Sequence, residues 1–394
     1  MRTKVFYDLP NSACYGCQAC AQICPVAAIS MESNKEGFLY PQIDTDKCIE
    51  CNLCQKSCPT QTDVVTPLFH ETPTTVDAAW EKEKGVRLQS TSGGVFYALG
   101  KNWIDSGGIV YGAILSKDLK VVHSRASTIE ELQCQRKSKY VQSDLTGILT
   151  EIKKELINGK RVLFSGTPCQ VAGLRSFLKK DYPNLLTVDV VCHGVPSPQI
   201  FADHLKYVNK IQKDTLVDYQ FRGKEKSGWR AYIKYIFKDK TVNNLLGKDF
   251  YSFSFYHSYF NRLSCFNCNF SQSKRVGDIT LSDFWNAEKE CKPLRIQRKN
   301  GFNMVMCNTL KGEEIYTKIK DQLDFLTLPS EVAINGDVRL RNTEPEPDMR
   351  TIIFNDYSSN GYEYVVKKYG PRNKGTRNIP NWIKNLVCEI RARL

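Results

Sequence analysis

The stretch that decides the first part of the fold reads Cys14-Tyr-Gly-Cys17-Gln-Ala-Cys20-Ala-Gln-Ile-Cys24-Pro25, and the same spacing recurs in Cys48-Ile-Glu-Cys51-Asn-Leu-Cys54-Gln-Lys-Ser-Cys58-Pro59. Three cysteines at this spacing wrap one face of a four-iron cluster, and the fourth binds the other cluster of a pair. The proline that follows suits the first position of a helix, where no amide donor is needed. The repeat therefore predicts a module that holds two [4Fe–4S] clusters.

Each expected ligand set takes three cysteines from one copy of the motif and one cysteine from the other copy. An alternative is a pair of zinc sites, but zinc takes its ligands in two separated pairs and not in one tight run. Every ligand position resembles the bacterial two-cluster ferredoxins. Residues 37–44, between the copies, predict a strand of the small paired sheet in such modules. We assign one cluster to Cys14, Cys17, Cys20 and Cys58, and the other to Cys24, Cys48, Cys51 and Cys54.

Composition limits the classes of protein that fit. The 394 residues are 41% hydrophobic and 25% charged, which allows a large buried core. No stretch is long and apolar enough to span a bilayer, and residues 1–10 lack the apolar segment of a signal peptide. We therefore expect a cytoplasmic protein, in which sixteen cysteines indicate metal ligation or thiol chemistry and not a disulfide framework.

The chain is basic, with 55 Lys and Arg against 42 Asp and Glu and a formal net charge of +13. A basic chain can bind nucleic acid, but these residues are dispersed, and the densest stretches are residues 224–230 and the C-terminal tail. Thiolates bound to clusters would also lower the charge of the loaded protein. We expect a solvated basic surface that attracts an acidic redox partner, and no nucleic-acid binding.

Beyond residue 60 the pattern changes. Residues 61–83 are rich in Thr, Pro and Asp with little periodicity, which is typical of a linker. Continuous apolar runs at residues 161–165 and 185–191 are then each followed by a helical pattern. Such runs are typical of parallel strands that are buried on both faces. Further strands are predicted at residues 109–115, 121–124, 232–237 and 278–282, and helices at residues 129–133, at residues 145–156 and from residue 197.

The predicted fold class is α+β. A ferredoxin module in residues 1–62 precedes a linker in residues 63–83 and a larger mixed α/β domain in residues 84–345. Residues 346–394 predict a helical tail. Its last part, residues 382–394, is basic and amphipathic. We favour docking of this part on its own domain or on a partner subunit over binding to a membrane surface.

Four cysteines of the larger domain stand out by position. Cys169 opens a predicted helix after one strand, and Cys192 follows the next strand, so both lie at the carboxyl edge of the expected sheet, where such sheets build their sites. A helix N-terminus also stabilises a thiolate. Cys265-Phe-Asn-Cys268 adds a pair in a loop. The spacing alone leaves two possibilities open: a third cluster, or buried structural cysteines beside a lone pair.

Five motifs stand out in chain order. They are Lys139-Tyr-Val-Gln-Ser143, Phe164-Ser-Gly-Thr-Pro-Cys-Gln-Val-Ala-Gly-Leu174, Asp189-Val-Val-Cys-His-Gly-Val-Pro-Ser197, Cys265-x-x-Cys268 and Gly277-Asp-Ile-Thr-Leu-Ser-Asp-Phe-Trp285. Together they resemble the β-subunit family of coenzyme F-420 (deazaflavin) hydrogenases and dehydrogenases, over about residues 84–334. Joined to a ferredoxin module, the layout resembles bacterial members that are often associated with polysaccharide biosynthesis.

The resemblance implies an FAD-dependent oxidoreductase with a four-iron cluster near the flavin. It makes Cys169, Cys192, Cys265 and Cys268 the ligand candidates for a third [4Fe–4S] cluster. The resemblance also implies a glycine-rich flavin site near the start of the domain. The matching positions are Ser92, Gly93 and Gly94 before a helix, with Lys139 and Tyr140 as further candidates. Taken alone, the glycine segment is better explained by a tight loop than by a cofactor site, and no G-x-G-x-x-G fingerprint occurs in the chain.

These observations predict an iron–sulfur flavoprotein that passes electrons between a two-electron hydride carrier, a deazaflavin or nicotinamide, at FAD and the clusters. His193 and Asp283 could orient the hydride donor or a proton, or could be structural. Two other functions stay open. One is a non-catalytic electron-transfer adaptor for a partner enzyme. The other is a ferredoxin-linked disulfide reductase, in which Cys169 or Cys192 would be a redox thiol and not a ligand.

Overall fold

The computed structural model describes residues 12–224, 229 and 232–371. Its strands are β1 (Ile29–Ser33), β2 (Leu39–Ile43), β3 (Thr75–Glu81), β4 (Ile109–Leu115), β5 (Val121–Ala126), β6 (Val162–Gly166), β7 (Leu185–Val190), β8 (Leu216–Gly223), β9 (Tyr232–Phe237), β10 (Thr241–Leu245), β11 (Ile279–Asp283), β12 (Asn303–Cys307) and β13 (Leu323–Pro329). Its α-helices are α1 (Ala19–Ile23), α2 (Thr62–Val65), α3 (Lys84–Leu88), α4 (Val95–Asp105), α5 (Ile129–Gln135), α6 (Ile148–Ile157), α7 (Pro168–Leu178), α8 (Pro198–Gln212), α9 (Phe250–Tyr256), α10 (Ala287–Glu290), α11 (Leu294–Gln297), α12 (Leu310–Thr317), α13 (Ser330–Gly336), α14 (Asp348–Asn360) and α15 (Tyr362–Tyr369). Short 3-10 helices include Gln55–Ser57 and Leu263–Asn267.

An eight-stranded mixed sheet in the order β13-β3-β12-β11-β7-β6-β4-β5 forms the centre of the larger domain. Strands β11, β7, β6 and β4 are parallel neighbours, which confirms the parallel pairing predicted for this region. Strands β5, β12, β3 and β13 pair in antiparallel fashion at the two sides. The carboxyl ends of β6, β7 and β11 therefore meet at one edge of the sheet.

Residues 63–83 were expected to be a linker. In the structure they contribute strand β3, which lies between β13 and β12 in the sheet. Residues 76–81 of this strand are all buried. Its acidic residue Asp77 accepts a hydrogen bond from Thr327 Oγ1 at 2.6 Å and pairs with Lys320 Nζ at 3.2 Å. A strand buried on both faces shows no alternation of polarity, and the Thr and Pro residues before it hide its start.

The ferredoxin module folds against the larger domain. Strands β1 and β2 form the predicted antiparallel pair. Tyr15, Cys17 and Ala19 share a buried apolar cluster with residues of α6, β6 and α7. Phe38 and Tyr40 belong to a second buried cluster, with residues of α8, β8, β9 and α9. The module is thus part of both hydrophobic cores.

The remaining strands form a three-stranded antiparallel sheet in the order β10-β9-β8. Its aromatic face packs with residues of α8, α9, α14 and α15. Helices α14 and α15 account for the described part of the predicted helical tail. The predicted amphipathic segment at residues 382–394 and most of the basic stretch at residues 224–230 lie outside the described residues.

Candidate redox site

The cysteines of the module fall into two neighbouring groups. Burial raises the pKa of Cys17, and Cys58, Cys20 and Cys14 raise it further, so these four thiols lie close together. Burial likewise raises the pKa of Cys54, whose thiol neighbours include Cys51 and Cys48. Backbone amides point at thiols in this region. Gly16 N donates to Cys14 Sγ at 3.4 Å and Ala28 N to Cys24 Sγ at 3.2 Å. The assignment of all eight cysteines to two ligand sets stays a prediction.

The four selected cysteines of the larger domain line one cavity. Cys169 is the second residue of α7, which starts directly after β6. Cys192 follows β7, and Cys265 and Cys268 lie in and after the 3-10 helix Leu263–Asn267. Three chain segments that are distant in sequence therefore bring their thiols to one edge of the sheet.

Burial is the largest influence on the pKa of these thiols. It raises the pKa of Cys192 to about 11 and that of Cys265 to about 12. Hydrogen-bond donors partly offset this effect, since Gly194 N lies 3.3 Å from Cys192 Sγ and Thr167 Oγ1 lies 3.2 Å from Cys169 Sγ. The described residues contain no group of three or more His, Cys, Asp or Glu side chains placed to hold a single metal ion. Four thiolates around one zinc ion would have to come within about 4 Å of one another.

A second and larger cavity of about 380 Å³ adjoins the thiol cavity. The two share one wall, which is formed by residues 192–195 and Arg339. His193 lies in this wall. Its Nδ1 accepts from Arg339 Nε at 2.9 Å, and its Nε2 donates to Phe255 O at 2.9 Å. Burial and the Arg339 charge lower the pKa of His193 to about 3, so the ring is neutral and both nitrogens are engaged.

Comparisons with known proteins identify the family of two parts of the chain. Residues 159–331 match the family profile that describes the C-terminal region of the beta subunit of coenzyme F-420 hydrogenase/dehydrogenase. This part of the chain belongs to that β-subunit family. Profiles of 4Fe-4S dicluster domains match residues 13–62 and residues 40–95. The chain therefore combines 4Fe-4S dicluster domains with a domain of the β-subunit type.

The chain has no match among curated proteins and a distant match among solved structures. A chain of the F-420-reducing [NiFe] hydrogenase complex from Methanosarcina barkeri is similar in structure, with 16% sequence identity and a TM-score of 0.44. The similar region covers 79% of this chain and 99% of that one. None of the described helices has the length and hydropathy needed to cross a membrane.

Four of the five residues predicted for flavin binding lie at one cavity, and the fifth does not. Ser92, Gly94, Lys139 and Tyr140 line the larger cavity. Gly93 is absent from its lining, which differs from the expectation. A Cβ on Gly93 would lie 2.2 Å from Ala79 O. This glycine therefore permits close packing of two backbones.

Lys139 and Tyr140 both have protein partners. Lys139 Nζ donates to Cys134 O at 2.9 Å and to Arg136 O at 2.6 Å, and burial lowers its pKa to about 7. The Tyr140 ring stacks on Phe255 with 4.2 Å between centroids. These contacts fix the two side chains at the cavity wall.

Sequence reasoning missed the buried ion pairs that shape this site. Asp189, at the end of β7, accepts from Arg275 Nη2 at 3.1 Å, Gly277 N at 2.9 Å and Thr280 Oγ1 at 2.7 Å. Arg275 also donates to Phe270 O at 2.9 Å. The pair thus joins the strand before Cys192 to the loop that carries Cys268. The quoted motif contains Asp189, but nothing in the spacing indicates a partner eighty-six residues away.

A second pair lies in the larger cavity. Arg222 donates to Asp283, and it also donates to Tyr140 Oη at 3.2 Å. Trp229 Nε1 donates to the same carboxylate at 3.2 Å. Asp283, which the sequence left open between a proton-handling and a structural role, is therefore held in a buried ion pair.

Proposed function

We propose that the protein is an iron–sulfur flavoprotein oxidoreductase that exchanges electrons with a two-electron hydride carrier, a deazaflavin or nicotinamide, and passes them through three [4Fe–4S] clusters. One observation supports this proposal most. The cavity lined by Cys169, Cys192, Cys265 and Cys268 shares a wall with the larger cavity that contains most of the predicted flavin residues. Two cofactors bound in these cavities would be neighbours.

The thiol cavity fits a cluster by its donor set. Its four thiols lie beside amide and hydroxyl donors, which favour the thiolate form that iron needs. Gly194 shapes the wall, because its φ is +119° and a Cβ there would lie 2.3 Å from Asn261 Nδ2. Only glycine tolerates this backbone and this approach. We therefore assign these four cysteines to a third cluster.

The larger cavity fits a flavin by its size and lining. Its volume of about 380 Å³ lies within the range of about 300–1,000 Å³ that is usual for small-molecule sites. Bound FAD would supply the conversion between hydride and single-electron transfer. The chain supplies a cation at the wall through Arg136, which suits an electron-rich ring or phosphate.

Anaerobic purification followed by iron, sulfide and flavin analysis tests the proposal. We expect about twelve irons per chain, with one FAD. About eight irons with no flavin would overturn it. The resemblance to members associated with polysaccharide biosynthesis makes a cytoplasmic sugar-modifying pathway the first place to look for the electron acceptor.

Cysteine variants separate the proposal from its two alternatives. Cys169→Ser and Cys192→Ser should each lose about four irons, whereas the exposed Cys134→Ser should lose none. A redox thiol of a disulfide reductase would be replaced without loss of iron. An adaptor protein would keep its iron, show no turnover with any hydride donor, and be reduced by a partner enzyme.

A further inference from the structure

We infer that electrons travel between the proposed third cluster and the module through the cluster of Cys14, Cys17, Cys20 and Cys58, by way of a contact formed by Gly173, Tyr15 and Arg262. The inference rests on the proposed function, because it needs the third cluster. It adds the order in which electrons pass through the three clusters. We call Cys14, Cys17, Cys20 and Cys58 the Cys14 group, and Cys24, Cys48, Cys51 and Cys54 the Cys48 group. The Cys48 group then forms the far end of the electron path, next to the surface.

Helix α7 makes the first connection. Cys169 and Gly173 are four residues apart, so they share one face of the helix and lie about 6 Å apart along its axis. A Cβ on Gly173 would lie 2.7 Å from Cys17 Cβ and 2.9 Å from Cys17 Sγ. Helix α7 therefore presents Cys169 to the thiol cavity and, one turn later, touches Cys17 of the module.

Tyr15 makes the second connection. It is buried, and it lines the cavity of the four thiols although it lies between Cys14 and Cys17 in sequence. Its hydroxyl accepts from Asn269 N at 3.4 Å, and its ring meets the edge of Phe270 with 5.3 Å between centroids. The ring thus stands between the two thiol groups.

Arg262 makes the third connection. Its side chain is fully buried, and its Nε donates to Cys14 O at 2.6 Å. Its own carbonyl accepts from Cys265 N at 3.0 Å. A single residue therefore hydrogen-bonds to one cysteine of each group.

The Cys48 group has a different environment. No residue of 48–54 lines the thiol cavity, whereas Tyr15, next to Cys14, does. Cys51 is exposed, and the neighbouring Ile49 is 60% exposed. Electron tunnelling weakens steeply with distance, so the Cys14 group is the relay and the Cys48 group exchanges electrons with a redox partner. Each step moves one electron, which oxidises one cluster and reduces the next, and no bond or proton moves with it.

The test compares Gly173→Ala with Gly100→Ala in the full-length, iron-loaded protein. Gly100 is a matched control, because a Cβ there would lie 2.7 Å from Leu132 Cδ1, and its helix α4 contributes no residue to the lining of the thiol cavity. Both variants should keep the wild-type iron content. In Gly173→Ala we expect an altered spin–spin interaction between the third and Cys14 clusters in electron paramagnetic resonance spectra of the reduced protein. We also expect reduction of the module, followed by rapid freeze-quench, to slow several-fold, with neither change in Gly100→Ala.

Second variants keep the inference open to refutation if Gly173→Ala does not load iron. Tyr15→Leu should alter the spin–spin interaction, and Tyr15→Phe, which keeps the ring, should not. Cys51→Ser, which removes a ligand of the far cluster, should leave that interaction intact. Wild-type iron content with unchanged interaction in Gly173→Ala and Tyr15→Leu overturns this inference alone. A wild-type protein with only about eight irons overturns the proposed function and this inference together.

Discussion

At the scale of single residues, Asp189 connects two of the chain segments that form the thiol cavity, those that carry Cys192 and Cys268. Its carboxylate has no exposed surface, and its partner Arg275 is almost as deeply buried. Removing one member of a buried ion pair leaves an uncompensated charge, which commonly costs about 3–5 kcal/mol. Because the pair joins the end of β7 to the loop after Cys268, part of this cost should fall on cluster binding.

We predict that Asp189→Asn lowers the free energy of unfolding by about 3 kcal/mol and also reduces the iron content by about four irons. Chemical denaturation and iron analysis measure the two effects. Asp249→Asn is the matched control, because Asp249 is equally buried and pairs with His204 at 3.1 Å in the aromatic core. It should destabilise the protein and keep all its iron. Equal iron loss in both variants would contradict a positioning role for Asp189.

At the scale of elements, the sequence predicted what depends on local pattern. The strands at β4, β6, β7 and β9 and the helices that follow β6 and β7 lie where apolar runs and helix starts indicated them. Strand β3 was hidden, because its pairing partners β12 and β13 lie more than two hundred residues away in sequence. The role of Gly93 was hidden as well, because its close neighbours are the backbones of β3, at Ala79 O, and of β12, at Asn303 N.

The start of helix α4 supports a prediction at this scale. Gly94 lines the larger cavity and has φ +102°, and a Cβ there would lie 2.9 Å from Glu81 Cγ. Gly107 has φ +78° with no atom within 4 Å of such a Cβ. Both Gly→Ala variants should lose about 1–2 kcal/mol of stability from the left-handed backbone. Only Gly94→Ala should also weaken flavin binding, as measured by flavin retention on gel filtration. Equal flavin retention in both variants would separate the Gly94 loop from the flavin site.

At the scale of the whole molecule, the module and the larger domain share their cores. The two-cluster type of the module was predictable because its cysteine spacing is local and repeated. The packing of the module was not, since it depends on side chains such as Arg262, which no spacing singles out. Arg262 Nη2 donates to Leu39 O at 2.9 Å and Nη1 to Gln142 Oε1 at 3.0 Å, and its guanidinium lies 4.0 Å from the Tyr40 ring centroid. One buried cation thus holds β2, the first cysteine loop and the larger domain together.

This arrangement predicts that Arg262→Met loosens the module as a unit. Hydrogen bonds to a charged group contribute about 1.5–3 kcal/mol each, so the variant should lose about 3 kcal/mol or more of stability. Amide hydrogen exchange should accelerate across β1, β2 and the Cys14 loop. Arg87→Met is the matched control, because Arg87 is also buried, donates to Gly301 O at 2.9 Å and lies over the Trp80 ring, all within the larger domain. It should be destabilised without faster exchange in the module, whereas unchanged exchange in Arg262→Met would mean that the module is held in place without Arg262.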